Sequence, residues 1–326
     1  MSRFHYKFSF LEDTPNPING DLILDEPLAY DCNAQESGFY RPGRITLDNQ
    51  RSLELILYHN QATAKFIYLR EGATNAHLMQ VIGVPSETYQ ENARIFLPGQ
   101  LCLGSERSSL IDQAMTMLFK SPVLAPLYTQ YQQENLAIFP IAREGLKYQV
   151  ADAIYRNSGF YCDEIVLDAH HVFDSSVPVY NRSVEVTLFK DKDLDLHQKE
   201  NINVAFFADS IASGLVMKEV ISRVRERFEH LQHVELITPL ATVRGLCRLL
   251  QATIPPDCQV RVHVFETLLN ALPPDYYFSS HFADPGFHIR PDLEKTYREW
   301  WGEDSQGNVI ADTACAGYGW SEVFYS

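Results

Sequence analysis

Hydrophobic residues recur at period two in two places near the start of the chain. Phe4, Tyr6, Phe8 and Phe10 form one set and Leu53, Leu55 and Leu57 the other, each the pattern of a half-buried strand. A polar break at His59-Asn60-Gln61 precedes a further apolar run from Ala64 to Leu69. The stretch Glu12 to Gly43 is interrupted by Pro, Asn, Asp and Gly and is expected to be loop or weakly regular structure. From about Ser108 the period changes. Leu110, Ile111, Ala114, Met115, Leu118 and Phe119 carry the i, i+3, i+4 spacing of a helix with one buried face. Apolar strands and amphipathic helices then alternate, with strands predicted at Leu136–Ile141, Glu164–Asp168, Ile202–Phe207, Val234–Thr238 and Gln259–Phe265. Helices are predicted near Gly145–Arg156, Leu215–Phe228 and Ala241–Gln251.

A βαβ series with near-continuous apolar strands predicts an α/β fold whose parallel twisted sheet is covered by helices on both faces. The chain divides into a β-rich N-terminal region, residues 1–100, and an α/β region with a C-terminal tail, residues 101–326. In open sheets of this class ligands bind beyond the carboxyl ends of the strands, which directs attention to the loops that follow them.

Composition narrows the function. Twenty-seven basic against 42 acidic residues give a formal charge of −15, which disfavours nucleic acid and anionic membranes as partners. Six scattered cysteines, none in a CxxC pair, are expected as reduced thiols in the cytoplasm. The N-terminus lacks the form of a signal peptide, and no stretch approaches a membrane span. His170-His171, His230 with His233, and His281 with His288 do not complete a ligand set at familiar metal spacing; His230 and His233 are expected at a helix end.

Three loops carry candidate chemistry. Ala142-Arg143-Glu144-Gly145 follows the first core strand, where an arginine beside a glycine at a helix start can hold a diphosphate; an ordinary turn with a solvated Arg143 is the alternative. Ala208-Asp209-Ser210-Ile211-Ala212-Ser213-Gly214 follows the most apolar strand, Ile202–Phe207, and leads into a helix beginning near Leu215. Its small residues leave amides able to surround a phosphate, and Asp209 can accept hydrogen bonds from sugar hydroxyls. A turn aspartate with a capping Ser213 remains the alternative. The third loop, Tyr277-Phe278-Ser279-Ser280-His281-Phe282-Ala283-Asp284-Pro285-Gly286, follows Glu266-Thr267-Leu268-Leu269-Asn270.

These loops resemble those of the type I phosphoribosyltransferases, and most of all the uracil phosphoribosyltransferases, over roughly Leu136 to Gly286. The resemblance extends to Ile237-Thr238-Pro239-Leu240-Ala241 with Gly245, and implies a phosphoribosyltransferase-like fold. It further implies binding of phosphoribosyl diphosphate with Mg²⁺ and transfer of the phosphoribosyl group to a pyrimidine-like base in nucleotide salvage. By the same resemblance Arg143, Asp209 and Asp284 would be catalytic, with Asp209 orienting the ribose and Asp284 facing the sugar diphosphate. Gly145 would belong to the diphosphate loop, and Ser210, Ala212, Ser213, Gly214 and Leu215 to the phosphate loop. Tyr277, Phe278 and Gly286 would lie in a hood over the base. A flap between Asp168 and Asn201, with Arg182, Lys190, Lys192 and Lys199 as closing charges, and a homodimer are also implied. The chain departs from the pattern at several positions: Ala208 stands where the family has an acidic residue, Leu215 where it adds a glycine, His281 and Ala283 where it has glycine, and Pro285 where it has alanine. A non-catalytic nucleotide or sugar-phosphate sensor of the same fold therefore stands beside the enzyme, and an interaction protein working through its N-terminal region is a third expectation.

Overall fold

The computed structural model describes residues 4–10, 18–33, 36–49, 51–60, 62, 104–142, 145–173, 182–188, 201–211, 214–250 and 258–269. Among these described residues twelve strands form one mixed sheet. Its core is parallel: β5 (Ser52–His59), β12 (Gln259–Leu269), β11 (His233–Thr242), β10 (Val204–Ala208), β6 (Leu136–Ala142) and β8 (Leu167–Phe173) lie side by side in that order. β7 (Asp163–Glu164) also pairs with β6 in parallel. At one edge β9 (Arg182–Leu188) turns back on β8 as an antiparallel hairpin. At the other, β4 (Glu36–Leu47), β2 (Ile18–Leu24) and β1 (Phe4–Phe10) continue the sheet antiparallel from β5, with β3 (Leu28–Asn33) pairing β4.

Burial follows from this placement. Val204 to Ala208 are all buried, as are Leu136 to Ile141, because β10 and β6 are covered on both faces. One face packs on α4 (Leu215–Arg227) and α5 (Val243–Leu250), through Met217, Val220, Ile221, Val224, Leu246 and Leu249. Each such side chain contributes roughly 1.5–3 kcal/mol on leaving water. The other face packs on α1 (Gly104–Leu118), α2 (Ala125–Gln130) and α3 (Val150–Ser158), where Met115, Leu118, Leu127 and Ile154 meet Ile138, Phe206 and Phe265.

The α/β class and the core strands agree with the sequence, and the N-terminal strands are present. Four local expectations change. The stretch Glu12–Gly43 is not mainly loop, since β2, β3 and most of β4 fall in it. Cross-strand pairing and burial of Leu22, Leu24 and Tyr30 outweigh the turn-forming residues between them. The helix expected from Gly145 begins only at Val150; Gly145–Tyr148 is a 3-10 turn, and Gln149 at φ 51° redirects the chain into α3. The helix expected from Ala241 starts at Val243 because β11 runs on to Thr242. His230 and His233 do not share a helix end: α4 stops at Arg227, His230 follows in a turn and His233 opens β11. The apolar run Ala64–Leu69 lies outside the described residues. No described helix is long and apolar enough to cross a membrane.

Candidate functional site at the β6–β10 junction

Strand order locates the crevice. From β6 the chain passes through α3 to β7 and β8 on one side, whereas from β10 it passes through α4 to β11 and then α5 to β12 on the other. The connections diverge between β6 and β10, so the carboxyl ends of these neighbours form the topological switch point of the sheet. The first two candidate loops leave the sheet there. Pro140, Ala208 and Ile237 stand side by side in register, and the loops begin just beyond that row.

The loop after β10 is held on both sides. The Asp209 amide donates to the Ile237 carbonyl at 3.3 Å, and Ile211 makes a parallel bridge to Ala241 beyond a register shift in β11. Gly214 has φ 74°, a left-handed conformation in which a side chain would be strained, and ends the loop as the N-cap of α4. A Cβ there would also collide with the Gly245 carbonyl oxygen and stand 3.1 Å from the Gly245 Cα. On the other side, a Cβ on Gly145 would collide with the Ala208 carbonyl oxygen. Gly145 therefore lies directly on the last peptide of β10, and the two candidate loops touch.

The helix beyond the loop supplies the electrostatics. The Lys218 amide makes an intrahelical bond to the Gly214 carbonyl at 2.9 Å. The amides that precede it belong to the first turn of α4, where the helix dipole favours an anion. Asp209 and Ser210 are half-buried at the same rim.

Ala208 is fully buried, in the apolar cluster that includes Tyr148, Ile237 and Phe265. Alternation along β10 puts Val204, Phe206 and Ala208 in that cluster and Ala205 and Phe207 in the cluster on the other face. The Ala208 side chain thus points into the core.

Gly145, Asp209, Ser210, Gly214 and Leu215 are brought to one junction. Arg143, Ala212, Ser213, Tyr277, Phe278, Asp284 and Gly286 lie outside the described residues, as do Lys190, Lys192 and Lys199. Arg182 opens β9 of the β8–β9 hairpin, whose Ala169 and Val186 pack against the same cluster as α4. Sequence reasoning missed how Gly245 abuts the loop. Its signal was available as a small residue early in the helix after the next strand. Among the described residues there is no group of three or more His, Cys, Asp or Glu side chains placed to hold a metal ion.

The fold and junction define an open α/β protein with a helix N-terminus at its switch point. No family model matches the chain, and no curated protein matches it. Among solved structures it is similar to the AQ2163 protein from Aquifex aeolicus, at 13% identity and TM-score 0.35, over 50% of this chain and 77% of that one. It is similar to a hypoxanthine phosphoribosyltransferase from Staphylococcus aureus, at 16% identity and TM-score 0.32, over 48% of this chain and 74% of that one. An adenine phosphoribosyl transferase from Trypanosoma brucei, in complex with AMP, pyrophosphate and ribose-5-phosphate, is similar at 13% identity and TM-score 0.37, over 74% and 95% of the two chains.

Proposed function

We propose that the chain is a phosphoribosyltransferase-like protein that binds phosphoribosyl diphosphate at the β6–β10 junction and transfers its phosphoribosyl group to a pyrimidine-like base. The observation that carries the proposal is the junction in which Asp209 and Ile211 are pinned to β11, Gly145 sits against Ala208 and Gly214 caps α4. The first turn of α4 would hold the 5′-phosphate, and Asp209 would accept from the ribose hydroxyls. Arg143 would neutralise the diphosphate as the bond from C1 of the ribose to diphosphate oxygen breaks. A base nitrogen would form the new bond to C1 and release its proton to solvent. Mg²⁺ would arrive on the diphosphate and make it a better leaving group. The choice of base would rest on the Tyr277–Gly286 segment.

A second reading, a non-catalytic sensor of a nucleotide or sugar phosphate, is favoured by the burial of Ala208, which leaves Asp209 as the carboxylate of this loop. One experiment separates the two. The protein is incubated with Mg²⁺, phosphoribosyl diphosphate and a panel of bases, and nucleotide and diphosphate are followed together with thermal stabilisation by each ligand. Product with a pyrimidine supports the transferase, while stabilisation without product from any base supports the sensor. Asp209→Ala is expected to reduce the ligand-induced shift at least severalfold with the unliganded melting temperature unchanged. An unaltered shift would move the site elsewhere.

A further inference from the structure

Away from the junction, a chain of polar side chains crosses the core between β11 and the α1–α2 corner. Glu235 on β11 is fully buried and takes three contacts of 2.5–3.0 Å from Nε and Nη2 of Arg261 on β12. His263, also on β12 and fully buried, places Nε2 2.5 Å from the second Glu235 oxygen. Its Nδ1 lies 3.0 Å from the hydroxyl of Tyr58 on β5. That hydroxyl is 3.3 Å from Oγ of Ser121, which accepts from the Leu124 amide at 3.3 Å.

The donors and acceptors fix the protonation state. An ionised Glu235 only accepts, so Nε2 of His263 carries a proton. In a neutral ring Nδ1 then accepts from Tyr58, whose oxygen accepts from Ser121, whose oxygen accepts from Leu124. From His263 to Ser121, each side-chain donor and acceptor then has a partner. A proton added at Nδ1 would turn that acceptor into a donor, reverse the Tyr58 hydroxyl towards Ser121 and leave the Ser121 proton without its acceptor. It would also change the summed charge of Glu235, His263 and Arg261 from zero to +1 within the core. The other groups facing the cluster are His233 on β11, Glu54 on β5 and Tyr40 on β4. Glu54 is only half-buried, and His233 Nδ1 is 3.9 Å from Glu235.

We infer that this chain is an acid-sensitive latch, holding β5 and the α1–α2 corner against β12 only while His263 is neutral. The β5–β12 ladder beside it is short, pairing Glu54 to Leu57 with Arg261 to Val264, so the Tyr58–His263 bond reinforces the seam just beyond Leu57. Burial depresses the His263 imidazolium despite the Glu235 carboxylate beside it. Glu235 is pushed up by burial but held below the ordinary carboxylate range overall by its bonds to His263 and Arg261. For a base depressed by folding, the unfolded chain takes the proton first. Stability is therefore present above the ordinary histidine range and is lost as pH falls through it.

The test is equilibrium unfolding of the full chain at pH 7.5 and 5.5, comparing the wild type with His263→Gln, which cannot titrate. The ratio of the wild-type folding constant to that of the variant is expected to fall about tenfold between the two pH values. Identical pH dependence in the two proteins would overturn the latch. If the variant does not fold, amide exchange of the wild type, corrected for intrinsic rate, gives the decision. Protection of residues 52–59 should fall relative to that of residues 204–208 on acidification, and an unchanged ratio would overturn it.

Discussion

Replacing Gly214 by alanine tests whether the loop after β10 is clamped as tightly as its geometry requires, and the protein contains its own control. Gly214 and Gly159 both have positive φ, 74° and 83°. Around Gly159, at the end of α3, an added Cβ meets nothing within 4 Å, whereas at Gly214 it meets the backbone of Gly245. Gly159→Ala should therefore cost only the left-handed conformation, about 1 kcal/mol. Gly214→Ala should cost that plus the displacement of loop against α5, roughly 1–3 kcal/mol more. For a chain of this size about 2 °C accompanies each kcal/mol, so melting should fall by about 2 °C in the first variant and about 4–8 °C in the second. Differential scanning calorimetry measures both, and repeating the scans with phosphoribosyl diphosphate asks whether the cradle still binds. Gly159→Ala should keep the ligand-induced shift and Gly214→Ala should lose most of it. Equal melting temperatures and equal shifts would refute both the contact with Gly245 and its link to binding.

Two further outcomes follow from the core. Ala208→Asp puts a carboxylate at the end of β10 but buries it against Tyr148, Ile237 and Phe265, so it should destabilise by about 3 kcal/mol or more without raising nucleotide formation; thermal melts with the product assay check both halves. Glu235→Gln leaves Arg261 facing a neutral amide in a site where Arg261 is only 13% exposed and should cost about 3 kcal/mol in urea unfolding. Replacing Glu235 and Arg261 together by Leu and Met should recover only part of that loss, because the buried Nε2–H of His263 then lacks its acceptor; full recovery would show that the Glu235–His263 bond contributes nothing.

What was legible in the sequence was local. The five buried residues Val204–Ala208 mark a strand through their continuous apolarity, and Met217, Val220, Ile221 and Val224 mark the following helix through their spacing, so pattern alone bounds the loop between them. Gly145 and Gly214 stand out as glycines, although their neighbours do not. That Gly214 touches Gly245, or that Gly145 rests on Ala208, depends on which strands lie together, and adjacency in a sheet is not encoded by period. The same holds for the direction of the Ala208 side chain, because the alternation of β10 is hidden when both faces are apolar. Tyr58 and His263 are 205 residues apart, and neither carries a local sign that it meets the other. The N-terminal strands β2 to β4 are obscured by the Pro, Gly, Asn and Asp that punctuate them.

A ribosome releases β5 long before it makes β12. The paired residues Glu54 and Arg261 are separated by about 200 residues of synthesis, or roughly 10–40 s at common elongation rates. Through that interval the antiparallel strands β1 to β5 exist with one edge of β5 lacking its partner, and an open edge is a template for wrong pairings. The N-terminal strands thus wait on one of the last core strands to be made. A chain interrupted before Gln259 would present that edge permanently to whatever strand it met first.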